Sequence, residues 1–317
     1  METRKLIKFG SSSHVLALPH DWLKEHNLNK GDMVYTSVND DGELVISPTV
    51  KNKKREIKIK EIYIDGKKID RIRREVTSAY LNNFNIIKIK GNEISLKIKE
   101  LRNIIQNLIG LEILEQDGGT IVAKDLLDLE SISLIKLIHK MDFVTRSMFD
   151  DINFRLKKIG SESIMDRDTE VDRIYFLGLK TIKAILENPD LAKVFKCSYE
   201  DLFKYWHTLY HIESIADKLK GLSWLFAYSK LSKSSKMKLW KIYEQIKNFY
   251  LLTMKLFYLD DKESSYKKSD IKAKIQKMLD NLLKGNNLDK LEIRIIDKFK
   301  IMIIKIHNLL REVHNNV

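Results

Sequence analysis

From about Glu130 to the C-terminus the chain reads as one long helical stretch after another, and this pattern limits the possible fold more than any other feature. The spacing of apolar residues predicts helices near 130–158, 162–187, 198–228, 231–259, 267–284 and 288–314. Gly160, Asn188-Pro189, the Ser232/Ser234/Ser235 cluster and Gly285-Asn-Asn287 act as punctuation. Long helices joined by short connections pack as antiparallel neighbours, so residues 130–317 are expected to form a helical bundle. Only three prolines, with 44% hydrophobic and 32% charged residues, suit such a largely helical chain.

The N-terminal fifty residues have a different rhythm. Lys5-Leu-Ile-Lys-Phe9 and Val15-Leu-Ala-Leu18 read as strands around a Gly10-Ser-Ser-Ser13 loop, and Pro19 ends the pairing. Residues 20–26 suit two helical turns, and strands 33–38 and 43–47 follow around an Asn39-Asp-Asp-Gly42 turn. A β-α-β-β unit of this size buries too little surface alone, so residues 1–50 are expected to dimerise. Residues 51–129 come between the two. Lys51, Lys53, Lys54, Arg55, Lys58 and Lys60 mark a basic connection or an edge strand. Helix 67–82, strand 85–90, helix 95–108 and strands around 112–114 and 120–122 then predict a small α/β segment. The fold class is thus multidomain α+β.

A single cysteine, Cys197, excludes an intrachain disulfide and any zinc site built on several thiolates, and it fits a reducing compartment. The sequence has no apolar run near the ~20 residues needed to span a bilayer, and its N-terminus lacks the apolar core of a secretory signal. No membrane insertion and a cytoplasmic location are expected. The net charge of +13 favours anionic partners. Residues 1–60 carry +3, residues 61–130 carry −1, and residues 131–317 carry +11, so the helical region is the main source of positive charge.

The run Lys5-Leu-Ile-Lys-Phe-Gly-Ser-Ser-Ser-His-Val-Leu-Ala-Leu-Pro-His-Asp-Trp-Leu23, followed by Leu28-Asn-Lys-Gly-Asp-Met-Val-Tyr35 and Gly42-Glu-Leu-Val-Ile-Ser-Pro48, resembles the SpoVT/AbrB family. The resemblance implies hairpins interleaved between two chains and a two-fold dimer that binds double-stranded DNA. Read from the residues themselves, Arg4, Lys5, Lys8, Ser11, Ser12, Ser13 and His14 offer cations, hydroxyls and backbone N–H groups suited to phosphate oxygens. A unit that only holds two chains together is the other reading of the same segment. A net +3 points to salt-sensitive, phosphate-dominated binding with limited base reading.

Within the helical region, Asp166-Arg-Asp-Thr-Glu-Val-Asp-Arg-Ile-Tyr-Phe-Leu177 and His211-Ile-Glu-Ser-Ile-Ala-Asp-Lys218 resemble the paired acidic motifs of the phosphate-uptake regulator family PhoU. Archaeal members often carry an AbrB-type unit in front. At 100° per residue, Asp168 and Asp172 share a face with Ile164, Met165, Tyr175, Leu179 and Ile182, while Glu213 and Asp217 lie at the margin of another apolar stripe. Desolvated carboxylates need a balancing cation or a basic partner. Arg146, Arg155 and Arg173 are candidate partners, and the resemblance implies a metal ion: iron, zinc or magnesium. Where the family pattern would repeat an acidic pair near the C-terminus, the chain reads Lys305-Ile-His-Asn-Leu-Leu-Arg-Glu-Val-His314, so a second cluster is not expected. Asp166 and Glu170 fall on the opposite face and read as solvated charge.

His207 and His211, four apart on one face, lack an evident third ligand. Lysines 230, 233, 236, 238 and 241 cluster at a helix start, as a solvated end or a second nucleic-acid contact. Nucleotide-binding, hydrolase and metalloprotease motifs are absent, so no enzymatic activity is expected. The reading that follows is a dimeric DNA-binding transcriptional regulator, linked through the PhoU resemblance to phosphate homeostasis. Its helical domain would act as a sensor or interaction module and a possible site of higher association. A weakly specific DNA-organising protein, or an adaptor for phosphate-transporter components, are the alternatives.

Overall fold

The structure is a computed structural model that describes residues 3–38, 42–49, 57–153, 161–227, 231–284 and 288–314. It divides into two compact units, Met1–Glu56 and Ile57–Val317.

In the first unit, β1 (Leu6–Phe9) pairs antiparallel with β2 (Ser13–Leu16), placing Lys8 opposite His14 and Phe9 opposite Ser13. Gly10, at φ +73°, takes the left-handed conformation that the tight turn requires. Pro19 precedes the short helix α1 (His20–Glu25), and its carbonyl accepts from Leu23 N. A second hairpin follows from β3 (Tyr35–Val38) and β4 (Leu44–Ser47). Asn39, Asp40 and Asp41 of the anticipated turn lie outside the described residues. Each hairpin forms its own two-stranded sheet, and no described residue of this unit is buried. Leu6 is 69% exposed, Phe9 70% and Val38 68%, so these apolar positions have no core among the described residues of this unit. Isolated hairpins are marginal in water.

The second unit opens with a four-stranded mixed sheet of order β5-β6-β8-β7. Its strands are β5 (Ile59–Tyr63), β6 (Ile86–Lys90), β7 (Leu111–Gln116) and β8 (Thr120–Asp125). The parallel β5/β6 pair is joined through α2 (Ile69–Leu81), and β7 and β8 form an antiparallel hairpin with a register shift between Ile113 and Glu115. Alternation explains the sheet: Ile87 and Ile89 are buried, while Lys88 and Lys90 between and beyond them stay partly solvated. Helices α2 and α3 (Ile94–Gln106) cover the apolar side through Ile72, Val76, Tyr80, Leu101 and Ile104. Of the basic run, Lys51, Lys53, Lys54 and Arg55 lie outside the described residues. Lys58 reaches Glu187 at 3.3 Å, and Lys60 sits on the edge strand β5.

A 3-10 turn at Leu129–Ser131, capped by Asp128, leads into the bundle. Its helices are α4 (Leu134–Asn153), α5 (Ser161–Glu187), α6 (Pro189–Phe195), α7 (Tyr199–Ala227), α8 (Lys233–Leu259), α9 (Lys262–Lys267), α10 (Ile271–Lys284) and α11 (Lys290–His314). The sequence placed six helices here. Two short ones, α6 and α9, escaped it because Pro189 starts a new helix as readily as it ends one, and because Asp260, at φ +48°, stops α8 before Asp261 caps the next turn. Gly160 and residues 285–287 lie outside the described residues. Helix α7 packs against α4, α5 and α11 and is apolar on several sides, with Leu209, Ile212, Ile215, Leu219 and Leu222 buried.

Helices α5 and α7 approach closely at Gly178, where an added Cβ would lie 2.5 Å from Leu209 Cδ1. We expect Gly178→Val to cost about 2–3 kcal/mol through overpacking. Thermal unfolding followed by circular dichroism measures this, and an unchanged midpoint would show that the contact is compliant.

The α/β layer and the bundle meet along α5. Phe176 packs into the core of the layer, Lys183 donates to Asn82 Oδ1, and Lys180 is almost completely enclosed. Lys180 Nζ lies 2.8 Å from Asp125 Oδ2, donates to the Tyr80 carbonyl at 3.1 Å and sits 4.5 Å from the centroid of the Tyr80 ring. Burial pulls its ammonium below the ordinary lysine range, against the opposing pull of Asp125.

Candidate nucleic-acid interface and the acidic cluster

All seven N-terminal residues singled out from the sequence fall in or next to the β1/β2 hairpin, and all are exposed. Arg4 and Lys5 precede β1, and Ser11 and Ser12 form the turn. Ser13 and His14 belong to β2 rather than to the loop. This corrects the anticipated Gly10–Ser13 loop: pairing with Phe9 draws Ser13 into the ladder. Because side chains alternate across a strand, Lys8 and His14 project from one face of the hairpin together with Leu6 and Leu16, and Ile7, Phe9, Ser13 and Val15 project from the other. The β1/β2 hairpin therefore presents cationic and hydroxyl groups beside apolar side chains that the described residues of this unit leave exposed.

Residues 7–54 match the family described as antidote-toxin recognition MazE, a bacterial antitoxin. The first unit thus resembles a MazE/AbrB-like domain. The match ends before the α/β layer begins, and no curated protein and no solved structure matches the chain. A domain of this kind is consistent with a DNA-binding regulator or an antitoxin-like fold.

In the second unit the four carboxylates read from the sequence do come together. Asp168 and Asp172 extend from α5 toward Glu213 and Asp217 of α7, which runs antiparallel to it. Their balancing group is Lys220, whose Nζ donates to Asp168 Oδ2 and lies 3.3 Å from Asp217 Oδ1, while Lys218 stands 3.4 Å from Asp217. The arginines anticipated as partners are elsewhere. Arg146 holds Asp142, Arg173 has a buried Nε with no hydrogen-bond partner among the described residues, and Arg155 lies outside the described residues. Lys220 was legible in principle, since 213, 217 and 220 follow the i, i+4, i+7 spacing of one helix face.

Burial, and then the neighbouring charge of Asp168, pushes Asp172 up to about 6. Burial and then Asp172 push Glu213 up to about 7, and burial, with a smaller push from Asp217, raises Asp168 despite Lys220. Tyr175, beside Glu213, is raised to about 12, mainly by burial. The arrangement does not fit a resident metal ion, since Lys220 already stands among the oxygens. Among the described residues, moreover, no three of His, Cys, Asp or Glu are grouped to hold one.

His207 Nδ1 lies 3.2 Å from Glu312 Oε1, and their ion pair depends on His207 being protonated. His211 is buried, its Nδ1 has no partner among the described residues, and burial lowers it to about 4. The rings stand 5.8 Å apart. Lys233, Lys236, Lys238 and Lys241 occupy the first turns of α8 behind the Ser232 cap, whose hydroxyl accepts from Ser235 N at 3.0 Å, and Lys230 lies outside the described residues. No helix among the described residues is long and apolar enough to cross a membrane.

Proposed function

We propose that the protein is a dimeric DNA-binding transcriptional regulator. In this reading two copies of the first unit cover each other's apolar hairpins and present Arg4, Lys5, Lys8, Ser11, Ser12, Ser13 and His14 to the phosphates of double-stranded DNA. The observation that carries the reading is the absence of any buried residue among those described in a MazE/AbrB-like unit whose Lys8 and His14 share one face. Hydrophobic burial is what stabilises a small β unit, and a second copy supplies the missing half. The α/β layer and bundle form the sensor or interaction part and carry no catalytic role. Phosphate homeostasis is the process suggested by the resemblance of the two acidic motifs, with transporter components as candidate partners in the cytoplasm.

Fluorescence anisotropy of the full chain on its own promoter DNA and on scrambled DNA, across a salt series, tests this. The variant with Arg4, Lys5 and Lys8 changed to Ala is expected to bind at least about tenfold more weakly and with a shallower salt dependence, since each lost phosphate contact reduces the slope by roughly 0.9. Equal binding by variant and wild type would sink the assignment of these residues. Equal affinity for both DNAs would favour a DNA-organising role, and no binding at low salt would favour an adaptor that uses the unit only to dimerise.

A further inference from the structure

Helix α7 carries four aromatic residues at i, i+4, i+7 and i+11 that point away from the bundle core: Tyr199, Phe203, Trp206 and Tyr210, exposed by 72, 56, 40 and 39%. Soluble proteins rarely leave such a continuous apolar stripe uncovered, and aromatic side chains with arginine are enriched where proteins meet. Beside the stripe, Trp206 and the α5 residues Leu179, Ile182 and Leu186 line an open groove of about 670 Å³. Leu186, 53% exposed, extends the apolar surface onto α5.

The two ends of this face carry opposite charge. Since α5 and α7 are antiparallel, Asp168, Asp172, Glu213 and the exposed Asp217 all lie at one end, where Lys218 and Lys220 offset part of their charge. At the other end the groove is rimmed by Arg73 and Arg74 of α2, both exposed, and by Lys183 of α5. A two-fold axis lying in the contact plane and crossing the α5/α7 helices at right angles turns one copy's face onto the other and reverses its direction, which places the acidic end of one copy on the basic end of the other and stacks the two aromatic stripes between them. A uniformly charged face would repel its own copy, whereas this one is complementary to it.

We propose that the α5/α7 face, together with the α2 rim, is a contact between two copies of this chain, distinct from any association through residues 1–56. The aromatic stripe and groove form its apolar centre, and Arg73 and Arg74 pair with the partner copy's acidic end.

The test uses the full chain carrying Leu6→Glu and Phe9→Glu, which places charge in the exposed hairpin and removes association through the first unit. Sedimentation velocity is expected to show a dimer that Trp206→Ala, or Arg73→Glu with Arg74→Glu, weakens at least about tenfold. Adding Asp217→Lys to the arginine reversals is expected to restore it, because the swapped ends are again complementary. A monomer with its helical circular dichroism intact, or a dimer indifferent to both reversals, overturns the proposal. So would finding the face occupied by another protein's acidic helix while the chain itself is monomeric. If the hairpin variant aggregates, the otherwise unaltered chain with Cys197→Ser and Tyr210→Cys gives a second readout. A covalent dimer on oxidation that the arginine reversals abolish supports the contact, and no cross-link overturns it. DNA binding is scored separately, so either reading can fail alone.

Discussion

Lys180→Met is expected to destabilise the seating of the α/β layer on the bundle by about 3–5 kcal/mol, the range found when one member of a buried ion pair is removed. The methionine fills nearly the same space, so the loss is electrostatic. Asp125, whose side chain is 9% exposed, is left without its ammonium, and the Tyr80 carbonyl loses a donor. The pair itself is worth far less than this figure, because both charges were desolvated to form it. Lys180→Met combined with Asp125→Asn should therefore recover most of the loss, since Asn keeps an oxygen for the Leu127 N–H that Asp125 accepts at 3.2 Å. Hydrogen exchange resolved over β6, β8 and α2, with the bundle as internal reference, reads the effect where it occurs. Protection in the layer that is unchanged in the single variant, or equally lost in both, would refute this account.

The second large effect is a dependence of stability on pH set by the acidic cluster. Glu213 titrates near 4.5 when unfolded and at about 7 when folded, and Asp172 moves from 3.8 to about 6. The native state thus binds more protons than the unfolded state between these limits, so stability is fully present below about pH 4 and is lost as pH rises through 6 and 7. Facing these groups are Asp168 and Tyr175 on α5, and Asp217, Lys218 and Lys220 on α7, so the cluster titrates as a coupled set. Discounted for partial exposure, Glu213 accounts for about 2 kcal/mol of this loss. Glu213→Gln is expected to unfold at higher urea than wild type at pH 8 and at nearly the same urea at pH 4. A gain of equal size at both pH values would show that the substitution acts through packing and not through ionisation.

Much of this architecture was legible because periodicity reports burial. Strand β6 alternates, helices α7 and α8 begin and end within a few residues of their expected bounds, and of the i, i+4 carboxylate pairs of α5 and α7, Asp168, Asp172 and Glu213 are withdrawn from solvent as their faces implied. What the sequence hid were the long-range partners. Lys180 looks like any lysine in a helix, and its burial follows only from a second layer covering the other side of α5. Lys220 took the place assigned to an arginine or a metal ion because the antiparallel packing of α5 and α7 brings residue 220 beside 168. The exposed aromatic ladder of α7 had no distinct signal, since apolar spacing on a helix does not say which face the bundle leaves open.

The lysine enclosed between layer and bundle also bears on how the chain comes to be folded. Translation delivers the sheet and Asp125 first, and Lys180 emerges only later, near the end of α5. Until then Asp125 has no Lys180 ammonium beside it, so the ion pair that joins layer and bundle can form only after α5 has emerged.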